Sequence, residues 1–299
     1  MLEICAKEFY LIIRKILGTN MKYLKYALYF TLALVVILTI AAYTFYKIHY
    51  KPINPADIGV IVEKIEVSEN RIINTAKFEG NNENPWLVFI HGTPGDWSNF
   101  QRYLADDSLR SKYNMMSYDR YGHGQSNAGK SDIDIAHHAQ DLKTVLAKVA
   151  PNKPVILFGY SYGGPIAINL AMDPDFKDRL DYLVLLAATS DPNLIQKTWY
   201  QALGNLSVSR LFLSDAINHA TDEMLGLKAE LKKLKNWDQI KAKTLVIHGI
   251  NDGLVPAHHV EYTMRKLKEN KPQRYIYDAG HGIPWSHRSE ITDILLNLK

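Results

Sequence analysis

A serine flanked by glycines at the end of an apolar run can be made to do chemistry that an ordinary serine cannot. Val155–Phe158 is such a run, and Gly159-Tyr160-Ser161-Tyr162-Gly163-Gly164 follows it, leading into a helical pattern over about 162–172. A strand that turns into a helix this sharply needs residues without side chains on both sides of the serine. The turn lifts the hydroxyl clear of the sheet, beside a helix N-terminus. Chance supplies a lone G-x-S-x-G often enough that the flanking strand and helix carry the weight. A hydroxyl is a poor nucleophile, so Ser161 needs a base, and the base needs an acid to orient it.

His281 is the candidate base. It lies in Ala279-Gly280-His281-Gly282, just past the last apolar run, and that place singles it out among eleven histidines. Asp252 is the candidate acid, in Gly249-Ile250-Asn251-Asp252 after the run Thr244–His248. Asp191, past the run Tyr182–Ala187, is its rival on the same logic of placement. Asp278 is too near His281 along the chain to reach the far side of the imidazole and reads as a solvated strand-end residue.

The oxyanion that forms when a hydroxyl attacks an acyl carbon needs two backbone donors. The Tyr162 amide, next after the nucleophile, is one. The other belongs to His91-Gly92-Thr93-Pro94-Gly95, which follows the run Trp86–Ile90. Pro94 has no N–H, so Thr93 is the best-placed donor, and Gly92 lets the backbone come close. His91 reads as a structural hydrogen-bonding residue. Asp119-Arg120-Tyr121-Gly122-His123-Gly124-Gln125-Ser126 suits a tight loop beside the site, with Asp119 and Arg120 organising it. No metal-ligand spacing such as H-E-x-x-H occurs, and the pairs His137-His138 and His258-His259 read as surface residues on helices. Cys5 is the single cysteine, which excludes cysteine-based metal sites, an internal disulfide and a cysteine nucleophile in the globular part.

The elements that must position these groups alternate. Ile61–Val67 and Ile72–Phe78 predict an antiparallel strand pair. Strands at Trp86–Ile90, Tyr113–Tyr118, Val155–Phe158, Tyr182–Ala187, Thr244–His248 and Arg274–Tyr277 follow, with helices over about 98–110, 133–149, 162–172, 257–268 and 288–298 between or after them. Short apolar strands separated by helices predict an α/β fold with a mostly parallel sheet covered on both faces. Such sheets bind ligands at the carboxyl ends of their strands. The segment at about 190–240 interrupts the alternation and reads as a small helical cap.

The first 58 residues are of another kind. Residues 1–51 carry seven Lys/Arg against Glu3 and Glu8, so the +4 net charge belongs to this segment and the remainder is close to neutral. Nothing calls for nucleic acid. After a basic segment at 1–25, residues 26–46 are 21 uncharged positions between Lys25 and Lys47. As a helix they would reach about 31 Å, close to the ~30 Å of a bilayer core. Tyrosines and phenylalanine stand at both ends, as in an interfacial aromatic belt. An uncleaved signal anchor is the expectation, followed by a linker at 47–58 and the domain at 59–299. Five Lys/Arg before the span and three after it (Lys47, Lys51, Lys64) bias the domain to the non-cytoplasmic side. A start at Met21 would reduce the bias to two against three.

Taken together, His-Gly-Thr-Pro-Gly at 91–95, Asp-Arg-Tyr-Gly-His-Gly-Gln-Ser at 119–126, Gly-Tyr-Ser-Tyr-Gly-Gly at 159–164, His-Gly-Ile-Asn-Asp at 248–252 and Gly-His at 280–281 resemble the α/β-hydrolase superfamily over roughly residues 60–299. The chain order Ser161, Asp252, His281 is the order of that family. The resemblance implies an eight-stranded sheet, an acyl-enzyme mechanism and no cofactor, and it is nearest the small-cap branch of esterases, carbon–carbon bond hydrolases and proline iminopeptidase-like enzymes. Proline iminopeptidases usually carry two glycines after the histidine and a larger cap. Here Thr93 replaces one glycine and the cap is about 45–50 residues. Dehalogenases and epoxide hydrolases of this fold use an aspartate where Ser161 stands. The expected activity is hydrolysis of a small-molecule or lipid-like acyl substrate. Acyl transfer, an aminopeptidase-like hydrolase of the same fold and a non-catalytic membrane-tethered binding module are the alternatives.

Overall fold

Eight strands form one sheet in the order β1-β2-β4-β3-β5-β6-β7-β8. They are β1 Ile61–Ser68, β2 Arg71–Phe78, β3 Trp86–Ile90, β4 Asn114–Tyr118, β5 Val155–Tyr160, β6 Leu180–Leu186, β7 Lys243–Gly249 and β8 Gln273–Tyr277. The computed structural model describes residues 53–299, apart from 128–130 and 197–198, and a few helical positions between 25 and 37. The chain divides into two units, Met1–Pro52 and Ile53–Lys299. The expected membrane span at 26–46 falls for the most part outside the described residues. Among the described residues, no helix is long and apolar enough to cross a membrane.

β1 and β2 pair antiparallel, β2 joins β4 antiparallel, and β3 to β8 run parallel with β4. β3, β4 and β5 are buried along their whole length, which is why they read as unbroken apolar runs. β1 is an edge strand and buries only Ile65. The helices are α1 Gln101–Leu104, α2 Asp107–Arg110, α3 Ile135–Val149, α4 Gly163–Ala171, α5 Trp199–Gly204, α6 Ser207–Arg210, α7 Asp215–Lys233, α8 His258–Lys266, α9 Ile283–Ser286 and α10 Arg288–Leu296. Two apolar cores result, one on each face of the sheet. α3, α4 and the cap helix α7 pack into the first, and α1, α9 and α10 into the second.

The helix expected over 98–110 is two short helices after a 3-10 turn at Trp97–Phe100. Asp106 breaks it, because its carboxylate accepts the Ser108 and Leu109 amides and starts a new helix. The segment at 190–240 is helical as expected, with α5, α6 and α7. The two histidine pairs correct the surface reading. His138 and His259 are buried while His137 and His258 are exposed. Consecutive helical residues point about 100° apart, so one of each pair faces the core.

Candidate active site

Ser161 follows Tyr160, the last residue of β5, and lies just before α4, with φ at +53°. A non-glycine residue in that left-handed region is strained, and the surrounding packing holds it there. Its amide donates to the Leu186 carbonyl at 3.0 Å, and its carbonyl accepts from the Gly164 amide at 3.0 Å. The glycines around it are required by close approach. A Cβ on Gly163 would lie 2.2 Å from the Ile90 carbonyl oxygen, and one on Gly159 would lie 2.7 Å from the Gly163 oxygen.

The loops after β7 and β8 bring in Asp252 and His281, the expected acid and base. A Cβ on Gly249 would lie 2.2 Å from the Ala279 oxygen, so β7 and β8 end in direct backbone contact. Asp252 Oδ1 accepts the Leu254 and Val255 amides at 2.9 and 2.8 Å, which leaves Oδ2 for His281 Nδ1 at 2.7 Å. An ionised carboxylate can only accept, so the imidazole proton sits on Nδ1 and Nε2 is free to accept from Ser161 Oγ at 3.0 Å. Burial alone would raise the Asp252 pKa. The hydrogen bond from His281 and the two amides outweigh that and hold it below the usual carboxylate range. His248 lies behind the acid, its Nε2 on the Val255 carbonyl at 2.9 Å and 3.7 Å from Asp252 Oδ2.

The three residues expected to act in sequence are thus joined in one hydrogen-bonded chain. Asp191 is not part of it. Its carboxylate accepts the Asn193 amide at 2.8 Å and its amide donates to His259. Asp278 is exposed and bonds Asn251.

The loop after β3 lies against Ser161, since a Cβ on Gly92 would be 2.9 Å from Ser161 Cβ. Thr93 and Tyr162, the expected oxyanion donors, therefore flank Ser161. Neither amide donates a hydrogen bond among the described residues. Asp119 and Arg120 organise the neighbouring loop. Buried Asp119 accepts from the Trp97 and Gln125 amides and from Asn74, while burial pushes its pKa up to about 6. Arg120 is fully buried and pairs with Glu223 of α7.

Glu223 was not anticipated. It falls on the buried stripe of α7 with Ala220, Leu227 and Leu231, and a charge at that helical spacing is the signal that would have marked it. Tyr160 was not anticipated either. Its hydroxyl donates to the His281 carbonyl at 3.0 Å. Among the described residues, no group of histidines and acids is arranged to hold a metal. A cleft of about 730 Å³ lined by residues such as Tyr182, Lys243 and Tyr277 lies between β8 and α10 and includes none of the triad.

A family model described as the alpha/beta hydrolase fold matches residues 85–225. The Proline iminopeptidase of Saccharolobus solfataricus is 37% identical over 98 residues, which is 32% of this chain and 31% of that protein. The AB hydrolase superfamily protein YisY of Bacillus subtilis is 24% identical over 248 residues, covering 70% of this chain and 89% of its own. The chain thus spans less than a third of the iminopeptidase and most of YisY. The crystal structure of a membrane phospholipase A superposes with a TM-score of 0.55 at 20% identity, over 90% of this chain and 99% of that one, and so shares the fold.

Proposed function

From the α/β-hydrolase fold and its intact serine, histidine and aspartate, we propose that this chain is a serine hydrolase cleaving a carboxylic ester or related acyl bond through an acyl-enzyme on Ser161. One observation carries the reading: the unbroken chain Asp252 Oδ2, His281 Nδ1, His281 Nε2, Ser161 Oγ at 2.7 and 3.0 Å. In the first half-reaction Ser161 Oγ attacks the acyl carbon while its proton passes to His281 Nε2. Asp252 stabilises the imidazolium, and the Thr93 and Tyr162 amides receive the oxyanion. Collapse expels the alcohol, which takes the proton from His281. Water, deprotonated by the same imidazole, then attacks the acyl-enzyme, and Ser161 recovers its proton as the acid leaves. The cycle needs no cofactor.

The iminopeptidase likeness favours an aminopeptidase as the second reading. A free ammonium group would need an unengaged carboxylate in the cap. Of the four acids of α7, Asp222 pairs with Arg210, Glu223 with Arg120 and Glu230 with Lys233, and the fourth, Asp215, is exposed at the first position of the helix. The ester reading is therefore preferred. The membrane anchor at 26–46, with the domain on the non-cytoplasmic side, belongs to the same proposal; the anchor rests on the uncharged span between Lys25 and Lys47, and the side on the five Lys/Arg before it against three after it. Protease protection in sealed vesicles tests it: a domain digested from the cytoplasmic face would reverse the orientation.

The activity is tested with the full chain and p-nitrophenyl esters of increasing acyl length, with alcohol acceptors added to separate hydrolysis from acyl transfer. Turnover no faster than in Ser161→Ala across the series would sink the ester reading. Cleavage of proline-terminated anilides alone would favour the aminopeptidase.

A further inference from the structure

The carbonyl of Gly92 is doubly engaged. His91 Nδ1 approaches it at 2.7 Å and Arg120 Nη2 donates to it at 3.0 Å. A trans peptide is planar, with its C=O and N–H pointing opposite ways. Fixing the Gly92 carbonyl therefore fixes the direction of the Thr93 amide. We propose that Arg120, held by Glu223 of the cap helix α7, is a positioning residue that aims the Thr93 N–H at the oxyanion, so that the seating of the cap governs the oxyanion hole. The inference rests on the serine hydrolase reading above and assigns the control of that site.

Arg120 touches both sides of the hole. Its guanidinium engages Glu223 with two nitrogens, and Nη2 reaches Gly92. The same group lies 4.8 Å from the centre of the Tyr162 ring, the side chain of the other donor residue. Its backbone amide donates to His91 Nε2 at 3.0 Å. That bond requires a neutral His91 with its proton on Nδ1, the nitrogen that faces the Gly92 oxygen. Burial, reinforced by the charge of Arg120, drives the His91 pKa well down and keeps the ring neutral. Two loops and the cap thus converge on one peptide.

The pair is a poor stabilising device. Both partners are almost wholly buried, and desolvation consumes most of what such a pair gains. Arg120 Nε has no hydrogen-bond partner among the described residues. What the pair does supply is a defined place for Gly92. Glu223, the only carboxylate on Arg120 among the described residues, comes from the cap, so a displaced cap releases the guanidinium.

The test uses the full chain as Glu223→Gln, Arg120→Met and the double variant Arg120→Met/Glu223→Leu. The double variant leaves no buried charge unpaired, so it remains folded where a single variant could fail. Losing an oxyanion donor outright costs about 10²–10³ in kcat, so a donor left unaimed is expected to cost about 10- to 100-fold, with KM within about threefold. That loss persists in the double variant. Recovery of wild-type kcat in the double variant, or a rise in KM alone, would overturn the proposal. A second arm needs no turnover: amide exchange over residues 91–97 in substrate-free protein speeds up in the double variant while that of α3 does not. Unchanged exchange over 91–97 overturns the proposal even if Ser161 proves not to be the nucleophile, a failure that Ser161→Ala reports separately.

Discussion

The Tyr160 hydroxyl donates to the backbone carbonyl of His281 at 3.0 Å, and the two rings lie 5.2 Å apart at 32°. The residue before the nucleophile thus holds the loop that carries the base. Trp285 packs edge-on to Tyr160 at 5.5 Å and donates from Nε1 to the Asn99 carbonyl, which ties the same loop to the segment after β3. Tyr160→Phe keeps the ring contact and loses the hydrogen bond. A bond of this kind is worth about 1 kcal/mol, so kcat is expected to fall about fivefold with KM little changed. Steady-state kinetics equal to wild type would show that the bond does not hold His281.

Asp252 fixes the proton of His281 on Nδ1, and Asn at this position can present an N–H to the same nitrogen. Asp252→Asn is therefore expected to lower kcat on the order of 10³- to 10⁴-fold while leaving the melting temperature nearly unchanged. Asp191→Asn is expected to stay within about twofold of wild type, because its carboxylate is engaged with the Asn193 amide. The reverse pattern in the two variants would transfer the acid role to Asp191.

Much of this was legible in the residues themselves. The strands carried unbroken apolar runs because β3 to β7 are covered on both faces, and their bounds were found within one or two residues. Ser161, Asp252 and His281 could be placed because each follows a strand at the same edge of a parallel sheet, where loops converge. Glu223 and Tyr160 could not, for different reasons. Glu223 shows locally only as a charge on an apolar helical stripe; its partner Arg120 lies 103 positions away, and that pairing leaves no local pattern. Nothing in Gly159-Tyr160-Ser161 marks the tyrosine hydroxyl as engaged. Its hydroxyl acts only because the β8 loop folds back over it. His138 turns inward on the apolar stripe of Ile135, Ala139, Leu142 and Val145, a spacing that separates it from His137, whereas the shorter α8 gives His259 a weaker stripe.

Two of the close glycine approaches make opposite predictions. A Cβ on Gly92 would press on the Ser161 side chain at 2.9 Å, so Gly92→Ala displaces the nucleophile or the donor loop within an intact fold. Its kcat is expected to fall more than about tenfold, with only a small drop in melting temperature. A Cβ on Gly163 would meet the Ile90 backbone at 2.2 Å, which cannot give way cheaply. Gly163→Ala is expected to lose several degrees in melting temperature. Thermal melts and kinetics on both variants check the contrast, and a fully active Gly92→Ala would contradict it.

Buried histidines set the acid limit of stability. Burial, reinforced by the Arg120 charge, lowers the pKa of His138 to about 4, and burial beside His248 does the same to His259. The unfolded chain titrates these rings near ~6.5. Between about 4 and about 6.5 the unfolded state binds more protons, so stability present above that window is lost as pH falls through it. Asp119, pushed up to about 6, acts in the opposite sense, because the folded state takes up its proton first. His91, His123 and His248 are lowered as well, so the histidines prevail. The urea midpoint is expected to be lower at pH 5 than at pH 7.5. An equal or higher midpoint at pH 5 would contradict the assignment of neutral buried rings.

The role of Ser161 is tested most directly by treating the full chain with a fluorophosphonate and mapping the adduct by peptide mass spectrometry. A single adduct is expected on the peptide containing Ser161, slowed strongly in His281→Ala and absent in Ser161→Ala. An adduct on another residue, or labelling that survives in Ser161→Ala, would contradict that role.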